Sequence, residues 1–225
     1  MKKYLYTFLK GILAGISIGV GGFLYVLMTY TFQGSLSELG KIFGSLLFSI
    51  GLFTVCSFSL SLYTGKIGLI FEKKQDKDFY ISLPIMLVGN ALGAFLLGYI
   101  CYFSFRNTEL FQYAYNTANV RLVFNDAFDY ITTVIKGMLC GLCVYLAVKS
   151  FNYNRLKPLG ITLLVAFVFI FVYSGFQHCI ANMFYFGFAN TMNYLTVINL
   201  VLVIVSNSIG PIIGVGLLKV IEKQK

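Results

Sequence analysis

His178 is the only histidine of this chain, and it lies in a run from Pro158 to Leu218 that contains no Asp, Glu, Lys or Arg. An imidazole accepts and returns a proton near neutral pH, and hydrocarbon surroundings penalise any unpaired polar side chain, so a histidine kept in such a run is a functional-site candidate. Around it the chain reads Ser-Gly-Phe-Gln-His-Cys-Ile-Ala-Asn-Met-Phe, from Ser174 to Phe184, a helix-breaking glycine followed by a polar cluster. A second stretch, Ser57 to Gly65, interrupts another apolar run and supplies the hydroxyl of Thr64. Unwound backbone offers free N–H groups, and helix N-termini carry partial positive charge, so the two breaks together have the chemistry to hold an anion and to exchange a proton with it. The structural alternative for His178 is an imidazole satisfied by a backbone carbonyl. Among the neighbouring residues no second acid, nucleophile or metal-ligand cluster is evident, so neither a metal nor a cofactor is expected.

The elements that must position these groups are membrane helices. With 58% hydrophobic and 11% charged residues over 225 positions, and a mean hydropathy of +0.82, no soluble fold could hide this much apolar surface. A helix needs roughly 20 apolar residues to cross a bilayer. Six runs qualify: Phe8 to Tyr30, Lys41 to Phe71, Tyr80 to Phe105, Ile131 to Val148, Leu159 to Phe188 and Tyr194 to Val220. The second and fifth carry the internal breaks, which are tolerated at membrane depth where they line a cavity or are buried in protein. The opening Met1-Lys2-Lys3 imitates a secretory signal, but its apolar run continues past Leu27 and reads as a retained helix.

Six crossings place both termini on one side. Lys2, Lys3, Lys10, Lys73, Lys74, Lys77, Lys149, Arg155, Lys157, Lys219, Lys223 and Lys225 would share that side, against chiefly Lys41, Arg106 and Arg121 opposite. The positive-inside rule then makes the termini cytoplasmic in a multi-pass plasma-membrane protein. The formal charge of +9 is thus a topology signal, and nucleic-acid binding is excluded for want of a soluble basic surface. The five cysteines lie within or beside helices, and Cys140 and Cys143 read as packing residues on one helix face rather than as a redox pair.

The chain, a single transmembrane domain over 1–225, contains an internal repeat of about 8–105 and 129–220. Lys10-Gly11-Ile12-Leu13-Ala14-Gly15 and Lys136-Gly137-Met138-Leu139-Cys140-Gly141 share a K-G-x-L-x-G pattern, and Asn90-Ala91-Leu92-Gly93 is echoed by Asn207-Ser208-Ile209-Gly210. Three helices per half is an odd number, so the second half enters the membrane inverted, and a permeation site is expected where the two broken helices meet. Asn90 and Asn207 either line the pore or bond neighbouring helices. Phe48 and Leu52 share a helical face before the first break, and with Phe171 they are candidates for dry constrictions, or for core packing.

The segment Ser174 to Phe184 resembles the G-F-E-H-S-I-A-N-M signature of the formate/nitrite transporter family. Leu62-Tyr63-Thr64-Gly65 is similar to its L-F-T-G loop, Phe48-Ser49-Ile50-Gly51-Leu52 to the preceding helix, Gly89-Asn90 to its third helix, and Asn207-Ser208-Ile209-Gly210 to its G-N-x-x-G. The resemblance spans Phe8 to Leu218. It implies an aquaporin-like six-helix protomer with broken second and fifth helices, a homopentamer in the lipid bilayer, and passage of protons and small monovalent anions such as formate, nitrite or hydrosulfide. It further implies Thr64 and His178 as the central pair, Phe48 and Phe171 at one constriction, Leu52, Leu62 and Val144 at the other, and Asn182 among the polar residues of the pore or of helix bonding.

Four positions depart from the family pattern: Ser61 and Gln177 replace acidic residues, Gly141 replaces an asparagine, and Lys66 stands where asparagine is usual. The family's loop lysine has no clean counterpart, because Arg121 lies about one helical turn too far upstream of Gly137, with Asn125 at the expected spacing. These departures point to a site tuned to another anion, or to poor conduction. Two competing readings are a neutral-solute channel of the water or glycerol type, and a membrane-embedded enzyme with His178 as its base.

Overall fold

A computed structural model describes residues 2–72, 74–153 and 156–222. Met1, Lys73, Arg155, Lys223 and Lys225, which enter the terminus and charge arguments above, lie outside the described residues. The described chain is helical: α1 (Lys2–Thr31), a 3-10 turn (Gly34–Leu36), α2 (Ser37–Ser57), α3 (Tyr63–Lys66), α4 (Leu69–Glu72), α5 (Lys77–Phe105), α6 (Glu109–Asn119), α7 (Ala127–Tyr153), α8 (Lys157–Tyr173), α9 (Cys179–Ala189) and α10 (Tyr194–Glu222).

Among the described residues, five helices are long and apolar enough to cross a membrane: Lys2–Thr31, Gly34–Ser57, Lys77–Phe105, Ala127–Asn152 and Tyr194–Leu217. The expected fifth run, Leu159 to Phe188, is instead two shorter helices, α8 and α9, of 17 and 11 residues. The second run differs as well. Its helix α2 is already 21 residues long when it ends at Ser57, so the break follows a full-length helix rather than dividing it. An amphipathic helix, α6, occupies a stretch expected only as a loop. Its Thr108 cap and the Tyr30 to Glu109 hydrogen bond of 3.2 Å hold it against the end of α1.

Apolar residues face outward here as well as inward. Val88, Leu92, Leu96 and Ile100 expose one stripe of α5, and Val197, Val201, Val205 and Ile209 one stripe of α10, each every fourth residue. In lipid, apolar surface provides little drive for helices to associate, so close backbone approach and interhelical hydrogen bonds must do it. Gly93 lets α5 approach the Ile12 carbonyl of α1, and Gly210 lets α10 approach the Met138 carbonyl of α7; a Cβ at either glycine would collide with that oxygen.

Charged residues gather at the ends. Lys3 pairs with Asp78 at 2.8 Å, Lys149 with Glu72 at 3.1 Å, Lys10 donates to the Ser59 carbonyl at 3.0 Å and Lys219 to the Phe71 carbonyl at 2.9 Å. These links bring the starts of α1 and α5 and the ends of α2, α7 and α10 to one end of the bundle. Lys41 and Glu38, 2.7 Å apart, sit with Glu109 at the other.

Candidate functional site

The ends of α2 and α8 unwind in the same way. After α2, Phe58 N–H donates to the Thr54 carbonyl (3.0 Å), Ser59 to Cys56 (3.2 Å) and Leu60 to Val55 (2.9 Å); after α8, Ser174 donates to Ile170 (3.1 Å), Gly175 to Val172 (3.0 Å) and Phe176 to Phe171 (2.9 Å). Both are Schellman endings, with Ser59 at φ 50° and Gly175 at φ 68° in the left-handed region. Glycine adopts that conformation freely and announces the second break in the sequence. Serine does so at a cost, so within the Ser57 to Gly65 break the left-handed residue carries no glycine to mark it.

One buried asparagine holds the chain beyond each ending. Asn90 Nδ2 donates to the carbonyls of Gly11 and Ser61, both at 2.8 Å, while its Oδ1 accepts from Tyr63 N–H at 2.8 Å. Asn207 Nδ2 donates to the carbonyls of Gly137 and Gln177, both at 2.8 Å, and its Oδ1 accepts from Cys179 N–H at 2.9 Å. Each amide thus satisfies two backbone groups that unwinding would have orphaned and bonds a glycine carbonyl inside another helix, so these side chains are spent on helix bonding. Part of each helix N-terminus expected for an anion is engaged in this way. Tyr63 and Cys179, the first residues of α3 and α9, give their N–H groups to the asparagines, and Ala181 gives its own to His178 Nδ1 at 3.2 Å.

Between the two breaks, Thr64 Oγ1 lies 2.9 Å from His178 Nε2, and both residues are buried. His178 is the N-cap of α9, and because its Nδ1 accepts the Ala181 amide, the neutral ring carries its proton on Nε2. Nε2–H then donates to Thr64 Oγ1, which leaves the threonine hydroxyl proton available to a ligand. Phe171 lies tilted beside this pair with its centroid 6.0 Å from the His178 ring, and Phe48 meets Phe171 edge to face at 5.7 Å. Leu52, Leu62 and Val144 are buried in the same apolar core, and Leu62 also walls a small cavity toward Lys66 that His178 does not line.

A cavity of about 40 Å³ reaches His178 between Tyr25, Phe48, Phe171, Asn182, Tyr185 and Arg121. It shares Tyr25, Arg121 and Gly175 with a larger one of about 460 Å³, whose walls include Lys136 and Gln177. Arg121, set aside on spacing, lies on both cavity walls with its guanidinium 4.3 Å over the Tyr185 ring, while Asn125 is held elsewhere, its N–H on Asp129 at 2.8 Å. The reason is the turn that closes α6: Val120 and Arg121 fold back onto Asn116 and Ala118, and Asn199 Nδ2 fixes the Arg121 carbonyl at 2.8 Å.

Asn199 was not singled out in the sequence. It completes a buried amide cluster in which Gln177 Oε1 accepts from Asn182 and Asn199, both at 2.9 Å, and Asn182 also donates to Asn199 Oδ1 at 2.9 Å. Its only signal was an amide in an otherwise apolar run. Lys136, read only as part of the repeat, proves to line the larger cavity beside Gln177. Among the described residues, no carboxylate lines either cavity on this side.

Over residues 2–221 the chain matches the formate/nitrite transporter family. It belongs to that family. Formate channel FocA of Escherichia coli (strain K12) is 29% identical over 196 residues, an alignment that covers 81% of this chain and 66% of FocA. The chain thus spans just under two thirds of the length of that curated formate channel. The uncharacterized transporter YrhG of Bacillus subtilis (strain 168) is 29% identical over 228 residues, covering 96% of this chain and 84% of YrhG. Among solved structures, a pentameric formate channel with formate bound superposes with a TM-score of 0.84 at 24% identity, covering 100% of this chain and 99% of that one, so the two share a fold. Family membership makes the chain an integral membrane protein and sets it among transporters rather than enzymes.

Proposed function

We propose that this chain forms a transmembrane pore for small monovalent anions of weak acids, with formate the first candidate and nitrite and hydrosulfide next. The observation that carries this reading is the buried Thr64–His178 pair, at the meeting point of two helix breaks, reached from a mouth whose charged lining residues are the cations Arg121 and Lys136. A bare anion in a dry constriction loses its hydration, and the threonine hydroxyl and a cationic approach compensate for part of that loss. FocA, a relative by sequence, is a formate channel, and the matching structure holds formate.

His178 is assigned the central role, as hydrogen-bond donor through Nε2 and as the proton relay. A relay has to pass through the imidazolium, because a neutral ring that gave up its Nε2 proton would become an imidazolate. Protonating Nδ1 releases the Ala181 N–H, so the relay is tied to loosening of the α9 cap. Phe48 with Phe171 is the dry constriction on the Arg121 side, and Leu52, Leu62 and Val144 form the one on the Glu72 side.

The architecture proposed is one transmembrane domain of two inverted halves, about 8–105 and 129–220, with six crossings of which α8 and α9 together make the fifth. The matched Schellman endings, the matched asparagine bonds and the paired glycine contacts support it. Both termini are assigned to the cytoplasm of a plasma-membrane protein by the lysines gathered at their end of the bundle. Five copies are proposed to assemble, each with its own pore; the solved structure that shares its fold is a pentameric formate channel.

The test is flux in proteoliposomes with a panel of formate, nitrite, hydrosulfide and lactate salts, beside neutral solutes. Swelling that depends on a weak-acid salt is the expected result. Swelling in glycerol without anion flux would overturn the reading in favour of a neutral-solute channel.

A further inference from the structure

The mouth on the Glu72 side holds a cation that the proposed pore does not use. Lys66 closes α3, two residues after Thr64, and lines two cavities that share Gly65, Lys66, Val148 and Asn152. One, of about 60 Å³, runs inward to Cys56 and Leu62. The other, of about 250 Å³, opens past Glu72 and Lys149. Lys66 therefore stands where the wider mouth narrows toward the Leu62 constriction.

The charges around it do not cancel it. Glu72 is the carboxylate of this mouth, and it is already engaged: Tyr145 Oη donates to its Oε1 at 2.8 Å and Lys149 Nζ at 3.1 Å. Among the described residues Lys66 forms no ion pair. A cation in a cleft with low-dielectric walls raises the local concentration of anions, and conduction favours stations that bind firmly enough to fill and weakly enough to empty.

We propose that Lys66, with the Asn152 amide on the same walls, forms a second anion-binding station for a small monovalent anion such as a short carboxylate, outside Leu62 and separate from the Thr64–His178 pair. The station rests on the reading of the chain as an anion pore, and it gives this mouth a cationic rim to match Arg121 and Lys136 on the other.

The native thiol of Cys56, on the inner cavity's wall, is a built-in probe of this station. Purified oligomer is reacted with anionic, cationic and neutral methanethiosulfonates, with Cys56→Ser supplying the background. The ratio of anionic to cationic labelling rates at Cys56 is expected to fall roughly fivefold or more in Lys66→Gln and to hold in Lys66→Arg, since one kT of local potential acts oppositely on the two reagents. Sodium formate, against sodium gluconate at equal ionic strength, is expected to slow the neutral reagent saturably in wild type and Lys66→Arg but not in Lys66→Gln. An unchanged ratio in Lys66→Gln, equal protection by formate in wild type and Lys66→Gln, or an unreactive Cys56 in wild type would each overturn the station. Because labelling does not read flux, a protein that labels as expected yet passes no formate in proteoliposomes removes the pore reading alone. One that passes formate but labels alike with and without Lys66 removes the station alone.

Discussion

Asn90 and Asn207 hold two separate breaks in the chain with the same three hydrogen bonds. Each accepts from the first N–H after the break, donates to the carbonyl two residues earlier in the chain, and donates to a glycine carbonyl on another helix. The residue enclosed by the first set is Leu62, and by the second His178. A shared scaffold thus presents an apolar side chain from one break and a titratable one from the other, and Thr64, two residues beyond Leu62, supplies the partner for the histidine.

Removing either amide should cost the assembly comparably. Interhelical bonds in membranes average about 0.6 kcal/mol, so three make about 2 kcal/mol, and the orphaned backbone groups raise the loss further. Asn90→Ala and Asn207→Ala are expected to lower thermal stability of the detergent-purified oligomer by similar amounts. A large loss at one position with none at the other would show that the two breaks are not held alike.

Substitutions at His178 separate relay from scaffold. His178→Asn keeps an acceptor for the Ala181 amide, so the oligomer is expected to assemble, but it has no titrating group and its weak-acid flux should lose the dependence on external pH. His178→Phe is expected to assemble while abolishing or re-selecting weak-acid transport. The measurement is flux per assembled oligomer across a pH series. A pH profile in His178→Asn that matches wild type would sink the relay and leave the pair as an anion selector.

Phe48 and Phe171 meet edge to face beside His178, with no polar group between their rings to discriminate solutes. Where shape alone selects, Phe48→Ala or Phe171→Ala should raise lactate flux relative to formate several-fold. Unchanged ratios with a plain loss of folded protein would mark these rings as packing only.

The membrane orientation has a direct check. Gln75 lies between α4 and α5 at the end of the bundle that carries Lys3 and Lys149, and Gln112 lies on α6 at the other end. With the termini cytoplasmic, an impermeant thiol reagent applied to intact cells should label Gln112→Cys and not Gln75→Cys. The opposite pattern would reverse the orientation.

Much was legible in the residues themselves. The apolar runs fixed the membrane class, because burial in hydrocarbon acts on local composition, and a single histidine in a charge-free run stood out because its cost there needs a reason. The repeated K-G-x-L-x-G and N-x-x-G patterns carried the symmetry, since close helix approach admits only small residues wherever it occurs. The second break was visible at Gly175. Tertiary structure alone decided the rest. Thr64 and His178 are 114 positions apart, and no local pattern states that they touch. The first break hides its left-handed turn in Ser59, which is tolerated only because the surrounding bonds hold it. The first N–H groups of α3 and α9, which looked free for an anion, are taken by Asn90 and Asn207, and that of Ala181 by His178, because a buried N–H must find a partner. Arg121 reaches the cavity walls by a turn after α6 and a bond from Asn199, which its spacing to Gly137 along the chain does not state.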